Sequence, residues 1–181
     1  MTVPVSENIV LIPLEEDDAV AYAALVESEN DRLARWLPHV GERRSAESVR
    51  AHLAMVRPRV RKRLWMDYTI RVDQALVGSI GLYDIDRRGK SAIIGYWIGR
   101  QYGGRGIVTR SVRALTHYAF ATCALRRLEI YAAVDNWPSR AVAERAGFSL
   151  EGVLHRRLSL PSGCADAALY VKVTADEFSG A

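Results

Sequence analysis

The stretch that most constrains this chain is an apolar strand followed by a glycine-rich turn and an amphipathic helix. Residues 93–98 predict the strand, residues 99–106 the turn, and residues 107–124 the helix. Such a turn lets backbone N–H groups point inward, and the start of the helix adds partial positive charge. Three arginines surround the turn: Arg100, Arg105 and Arg110. The stretch therefore predicts an anion site, and we expect the anion to be a pyrophosphate.

The spacing of the glycines shows which of the known phosphate-binding patterns this turn can match. The dinucleotide pattern G-x-G-x-x-G is not met, because no third glycine follows Gly104 and Gly106 at the required offset. The pattern G-x-x-x-x-G-K-[ST] is not met either, since no lysine and hydroxyl pair follows Gly106. What is present is Gln101-x-x-Gly104-x-Gly106. A tight strand-to-helix turn without a ligand remains the alternative.

Composition narrows the class of protein. The chain has 181 residues, is 49% hydrophobic and 25% charged, and we expect residues 1–181 to form a single globular domain. Its net charge of +4 suits an anionic cofactor, while no dense basic block with interleaved aromatics predicts nucleic-acid binding. Cys123 and Cys164 give neither metal-ligand spacing nor a disulfide framework. With no signal peptide and no long apolar run, we expect a cytoplasmic protein with no membrane partner.

The remaining pattern predicts a mixed sheet with helices on both faces. Strands are expected at residues 9–14, 66–72, 76–83, 92–98, 127–134, 148–160 and 167–173. Besides the helix after the glycine turn, helices are expected at residues 19–27, 30–37, 45–57 and 139–146. Pro58 should end the third of these, and Ser139 should cap the last.

Several ordered motifs together resemble one superfamily. They are N-W-P-S at residues 136–139, E-R-A-G-F at 144–148, E-G at 151–152, I-G-Y-W at 94–97, and W-L-P at 36–38. With the glycine loop, they make the chain similar to the GCN5-related N-acetyltransferases (GNAT), in particular the RimJ/RimL-type ribosomal-protein N-terminal acetyltransferases. The resemblance spans residues 9–170. It implies an α/β (α+β) GNAT fold with a mixed, mostly antiparallel, seven-stranded sheet and helices on both faces.

The resemblance implies acetyl-CoA as cofactor and no metal. Backbone amides of the glycine loop would hold the pyrophosphate, and the Asn136 side chain would hydrogen-bond the cofactor arm. A backbone N–H at Trp97 or Ile98, where the central strand bulges, would stabilise the developing oxyanion. The cofactor-binding residues so implied are Ile98, Gln101, Tyr102, Gly103, Gly104, Arg105, Gly106, Ile107, Asn136 and Ser139.

Proton transfer departs from the superfamily's common pattern. The position of the usual acidic tyrosine is Ala143 here, so Ser139 is implied as the catalytic acid that protonates the leaving thiolate. The glutamates that other members carry are replaced by Ile93 and Leu158. The remaining candidates for the base are Asp84, Asp135, Glu151 and His155. Because a terminal α-amine has a pKa near 8 and a lysine near 10.4, the missing carboxylate favours an α-amine as acceptor.

The acceptor pocket is expected between the early helices and the last strands. Its candidate residues are Trp36, His39, Trp65, Tyr83, Trp137 and Arg156. The favoured function is acetyl-CoA-dependent N-acetylation of a peptide, a protein N-terminus or a small amine, by a homodimer on analogy with the branch. Two alternatives stay open: an N-acetyltransferase that inactivates an antibiotic or toxin, and a CoA-binding module without catalysis.

Overall fold

The computed structural model describes residues 1–174, and its centre is an open sheet of eight strands. The strands are β1 (Val3–Ser6), β2 (Ile9–Pro13), β3 (Met66–Val72), β4 (Ala75–Asp86), β5 (Ser91–Ile98), β6 (Arg127–Ala133), β7 (Ser149–Leu160) and β8 (Gly163–Val173). Their order in the sheet is β1-β2-β3-β4-β5-β6-β8-β7. Within the described residues β5 and β6 are parallel, and the other neighbouring strands are antiparallel.

Six helices cover the two faces of this sheet within residues 1–174. They are α1 (Ala19–Ser28), α2 (Asn30–Trp36), α3 (Pro38–Gly41), α4 (Ala46–Arg61), α5 (Ile107–Ala121) and α6 (Trp137–Arg145). One apolar cluster joins α1–α4 to the sheet around Tyr22 and Trp97, and another joins α5 and α6 around Leu115 and Tyr170. None of the described helices is long and apolar enough to span a bilayer.

The mixed sheet with helices on both faces confirms the predicted fold class, but two details of the sequence prediction were wrong. The sheet has eight strands rather than seven, because Val3–Ser6 pairs with Ile9–Pro13 as an extra edge. Helix α4 passes through Pro58 and ends at Arg61. Pro58 lies in the last turn of α4, where the loss of one backbone hydrogen bond does not stop a helix that is capped at its start by Ser45.

The feature that positions the site is a gap in the middle of the sheet. Strands β5 and β6 pair only where residues 91–93 face residues 127–129. Beyond this point the two parallel strands separate, so backbone groups of β5 from Ile94 onward have no strand partner on that side. The result is a V-shaped opening that both layers of helices border.

The opening does not arise from a bulge at Trp97 and Ile98, as the resemblance had suggested. The pairing of β5 with β4 keeps one register from Gly78 opposite Ile98 to Tyr83 opposite Ile93. The irregularity lies at the other end, between Tyr83 and Asp86. The opening comes instead from the divergence of β6.

Candidate active site

A cavity of about 330 Å³ fills the opening between β5 and β6. On the α5 and α6 side its wall includes Val108, Asn136, Pro138, Ser139 and Val142. On the opposite side its wall includes Arg32, Leu33, Trp36, Leu37, Pro38 and His39. The cavity therefore connects the two faces of the sheet through its centre. A larger cavity of about 620 Å³, around Trp65 and Cys123, has neither Asn136 nor Ser139 in its wall, so its size does not make it the site.

The glycine loop is open in front of helix α5. Gly104 has φ +72° and Gly106 has φ +69°, conformations that side chains rarely adopt, and a Cβ at either position would meet nothing within 4 Å. Gly106 is the N-cap of α5, with no side-chain cap and no acidic residue in the first turn. The first N–H groups of α5 are thus free of side-chain partners. These features fit the pyrophosphate of acetyl-CoA.

The other loop residues surround this open space in different ways. Gln101 and Tyr102 belong to a single 3-10 turn, and the Arg105 guanidinium lies 5.8 Å from the centre of the Tyr102 ring. Gly103 continues the loop in an extended conformation. Ile107 is buried in the core, so it can contribute to an anion site only through its backbone.

The end of β5 is tied to helix α2. The Glu29 carboxylate accepts a hydrogen bond of 2.6 Å from the Arg100 backbone N–H. Arg32 donates to the Ile98 carbonyl and forms a salt bridge of 2.9 Å with Glu29. Since the Gly99 N–H bonds to the Val77 carbonyl on β4, alternation turns the N–H and carbonyl of Ile98 toward the cavity and those of Trp97 toward β4. Of the two predicted oxyanion donors, Ile98 is the one whose amide faces the cavity.

Ser139 lies against Tyr96 on the α5 and α6 side of the cavity. Its hydroxyl donates to the Tyr96 hydroxyl oxygen over 3.2 Å, and the Tyr96 hydroxyl donates to the Ser139 carbonyl over 2.9 Å. Burial raises the pKa of Tyr96 to about 12, so the phenol stays protonated at neutral pH. The pair holds the Ser139 hydroxyl at the cavity wall.

The helix cap is provided by Asn136, which corrects the sequence prediction for Ser139. Asn136 Oδ1 accepts the Ser139 backbone N–H over 3.3 Å, and α6 begins at Trp137. The Ser139 hydroxyl is therefore released from capping and bonds to Tyr96 instead. The Asn136 amide nitrogen remains able to donate into the cavity that this residue lines.

The structure divides the predicted acceptor residues into two groups. Trp36 and His39 line the cavity. Trp137 is 65% exposed beneath the Arg140 guanidinium, and Arg156 is an exposed residue of β7; neither is part of the cavity wall. Tyr83 lies one layer behind the wall, since a Cβ on the cavity residue Gly95 would fall 2.8 Å from its ring.

Tyr83 and Trp65 belong to a buried polar cluster around Asp67. The Asp67 carboxylate accepts hydrogen bonds of 2.7 Å from each of them and lies 3.2 Å from His52 Nε2. Burial raises the pKa of this carboxyl, but the hydrogen bonds from His52, Trp65 and Tyr83 outweigh that effect and hold it below its usual value. The same burial and the Asp67 charge raise the pKa of Tyr83. The cluster supports the wall from behind.

The four candidates for the base all lie outside the cavity wall. Asp84 pairs with Arg59 at 2.6 Å, Glu151 with Arg127 at 2.6 Å, and His155 with Asp166 at 2.9 Å. Asp135 is exposed. Among the described residues that line the cavity, none is an aspartate or a glutamate.

Some wall residues were not singled out from the sequence. Tyr96 was not among the predicted site residues, although alternation along β5 places it on the same face as Ile94 and hence toward α5 and α6. Tyr131 and residues 158–160 also line the cavity. These residues reach the cavity wall only because of the way β6 diverges from β5 and β7 folds back in the sheet. Neither feature can be predicted from the local sequence.

Comparison with known proteins agrees with this geometry. The family model for the acetyltransferase (GNAT) domain matches residues 8–149. The putative ribosomal N-acetyltransferase YdaF of Bacillus subtilis (strain 168) is 38% identical over 155 residues, which is 83% of each chain. Among solved structures, RimL, a ribosomal L7/L12 alpha-N-protein acetyltransferase in complex with coenzyme A, superposes with a TM-score of 0.90 at 30% identity, covering 97% of this chain and all of that one.

A third similar protein is named for self immunity and not for a ribosomal protein. The microcin C7 self-immunity acetyltransferase MccE, solved with acetyl-CoA and AMP, has a TM-score of 0.88 at 26% identity over 94% of each chain. Fold, glycine loop and cavity together define an acyltransferase that uses acetyl-CoA. The chain belongs to the GNAT acetyltransferase family. The chain is therefore an acetyl-CoA-dependent N-acetyltransferase that acts on a primary amine, and not a CoA-binding module without catalysis.

Proposed function

We propose that this enzyme acetylates the α-amine at the N-terminus of a protein, with ribosomal proteins as the leading class of substrate. The observation that carries the proposal is the cavity that passes between β5 and β6 and whose wall, within residues 1–174, contains no carboxylate. An α-amine can react there without a strong base, because its pKa near 8 leaves part of it neutral. The names of YdaF and RimL support the same class of acceptor.

The residues on the α5 and α6 side are proposed to hold acetyl-CoA. Backbone N–H groups of residues 101–107 bind the pyrophosphate, except those of Tyr102 and Gly103, which donate to the Gly99 and Arg100 carbonyls. Arg105 adds charge, and the Asn136 amide donates to the cofactor arm. The Ile98 N–H faces the place where negative charge develops on the acyl oxygen. The Ser139 hydroxyl, held by Tyr96, supplies a proton to the leaving sulfur. When bound, acetyl-CoA contributes the activated thioester.

The residues on the other side are proposed to bind the acceptor. Trp36 and His39 contact the first residue of the peptide in the cavity. Tyr83 acts from behind Gly95, because it supports the wall without reaching the cavity. Trp137 and Arg156 lie outside the wall, so they can contact only those parts of a substrate that extend beyond it.

The proposal is tested by mass spectrometry after incubation with acetyl-CoA and three acceptors. These are a peptide with a free N-terminus and one lysine, the same peptide with a blocked N-terminus, and an aminoacyl nucleotide. We expect one acetyl group on the α-amine of the first peptide and none on the second. Ser139→Ala should slow the transfer about 100-fold, as expected for loss of a general acid. Acetylation of the blocked peptide at the rate of the free one would contradict the proposal.

The third acceptor addresses the toxin-inactivating alternative. MccE, whose solved complex contains AMP, is the similar protein that motivates this arm. Transfer to the aminoacyl nucleotide alone would reassign the enzyme to small-molecule inactivation.

We further propose that the enzyme is homodimeric, and that it is located in the cytoplasm, where its cofactor and ribosomal substrates occur. Light scattering of the purified protein and fractionation of cells test these two points.

A further inference from the structure

The titratable side chains in the cavity wall are few. They are Arg32, His39, Tyr96 and Tyr131. An arginine stays protonated in proteins, and burial raises the pKa of both tyrosines. His39 is thus the one side chain of the described wall that can take up a proton near neutral pH.

The position of His39 suits a group that exchanges protons. It follows Pro38 at the start of α3, on the acceptor side of the cavity and across the sheet from Ser139. The residue is also exposed to solvent. Within residues 1–174, no hydrogen bond or ion pair engages its ring nitrogens, whereas His52 and His155 are both held by carboxylates. His39 therefore has a free lone pair beside the acceptor path.

The surroundings of His39 favour its neutral form. Burial is the largest effect and lowers the pKa of His39 below its usual value, and the nearby Arg43 and His52 act in the same direction. Glu42 and the more distant Asp67 oppose them. The net effect is a lowered pKa, so at pH 7 the imidazole is neutral and can accept a proton.

We infer that His39 is the base that takes the proton from the acceptor ammonium in this cavity. The inference rests on the proposed function. One N–H bond of the ammonium breaks, its electron pair stays on the nitrogen, and the proton goes to a free imidazole nitrogen. The neutral amine then attacks the thioester carbonyl. As the C–S bond breaks, the nitrogen loses a second proton, which replaces the proton that the Ser139 hydroxyl gives to the leaving sulfur. The imidazolium of His39 returns its proton to solvent, and this is the one proton that acetylation of an ammonium by a thioester releases overall.

The test compares pH profiles of kcat/KM for the wild type, His39→Asn and the matched control His117→Asn, with a peptide α-amine as acceptor. His117 is exposed on α5 outside the cavity wall. Without His39, only amine that is already neutral reacts. At pH 6.5 this is about 3% of an α-amine with a pKa near 8. We expect the loss of kcat/KM in His39→Asn to be greatest there and to shrink to within about threefold of the wild type at pH 9, where most of the α-amine is already neutral. The control should follow the wild type throughout.

A uniform loss of activity at every pH, or no loss at pH 6.5, would overturn the role of His39. His39→Gln and circular dichroism of both variants separate misfolding from the loss of a base. An independent measurement is the NMR titration of labelled histidines, with His39 assigned by its absence from the variant. We expect a pKa below 6.5 that changes when acceptor peptide binds. A pKa above 6.5, or no response to the peptide, would also contradict the inference.

The proposed function can fail separately. If the wild type acetylates only a small amine, the substrate class is wrong, and the same pH series with that amine decides the role of His39. If transfer to peptide α-amines proceeds with unchanged profiles in His39→Asn, the function stands and the role of His39 falls. If no amine is acetylated at all, both are overturned.

Discussion

Replacing Gly106 by alanine should weaken CoA binding much more than it weakens the fold. Gly106 has φ +69°, and an alanine there would carry about 1–2 kcal/mol of left-handed strain. Alanine also restricts the unfolded chain, which offsets about 0.4–1 kcal/mol of that cost. We therefore expect the free energy of unfolding to fall by about 1 kcal/mol, a change that urea denaturation can measure.

The effect on CoA should be larger because of where the methyl group goes. A Cβ on Gly106 meets nothing within 4 Å, so it would project into the open space at the start of α5. A hydrogen bond to a charged group contributes about 1.5–3 kcal/mol, so losing one N–H contact to the pyrophosphate should raise Kd about tenfold or more. Calorimetric titration with CoA measures this change.

Gly163→Ala is the matched control for this experiment. Gly163 has φ +110° and equally open surroundings, but it is the first residue of β8, next to the turn from β7 and outside the glycine loop. It should be destabilised to a similar extent and bind CoA like the wild type. Equal CoA affinities of the two variants would refute the assignment of the loop as the pyrophosphate site.

Three further predictions concern side chains with distinct roles. Tyr96→Phe removes the partner of the Ser139 hydroxyl, so kcat should fall about tenfold with unchanged CoA affinity, and steady-state kinetics should show that the loss does not add to that of Ser139→Ala. Asp67→Asn breaks a buried ionic cluster and should lower the free energy of unfolding by about 3 kcal/mol at pH 7. Because the folded pKa of Asp67 is lowered, the wild type should lose this advantage as pH falls through that pKa, as urea denaturation at several pH values can measure. Glu151→Gln removes only an exposed ion pair with Arg127; it should leave both the free energy of unfolding and acetyl transfer nearly unchanged, whereas lost transfer would restore Glu151 as a candidate base.

The local parts of the fold could be predicted because their signals are local. The strand, the glycine turn and helix α5 follow one another in sequence, so hydrophobic period and glycine spacing define all three. Strand β1 was missed because Val3–Ser6 is too short to show a pattern and depends on its pairing with β2. The end of α4 was predicted too early because Pro58 was expected to stop the helix, whereas a proline near a helix end removes only one backbone hydrogen bond.

The candidate site was harder to predict because its wall combines distant segments. Trp36 and Leu158 face the same cavity, and only the tertiary fold brings them together. Tyr83 looked like a pocket aromatic from its strand position, yet the carboxylate of Asp67 draws its hydroxyl away from the cavity. The choice between Asn136 and Ser139 as helix cap was also undecidable locally, because both residue types cap helices well.

The composition of the cavity wall bears directly on which amine reacts. At pH 7 about 10% of an α-amine with a pKa near 8 is neutral, against about 0.04% of a lysine with a pKa near 10.4. Whatever the base, removing a proton from an α-ammonium costs about 3 kcal/mol less than removing one from a lysine, because their pKa values differ by about 2.4 units. The lowered pKa of His39 makes it a weak base, and no carboxylate in the described wall stabilises its imidazolium to reduce both costs. Selectivity for the N-terminus then follows from the difference in pKa between the two amines, without a pocket that excludes lysine. A peptide with both amines should therefore be acetylated about two orders of magnitude faster at its N-terminus at pH 7, and this ratio should shrink as the pH approaches 10.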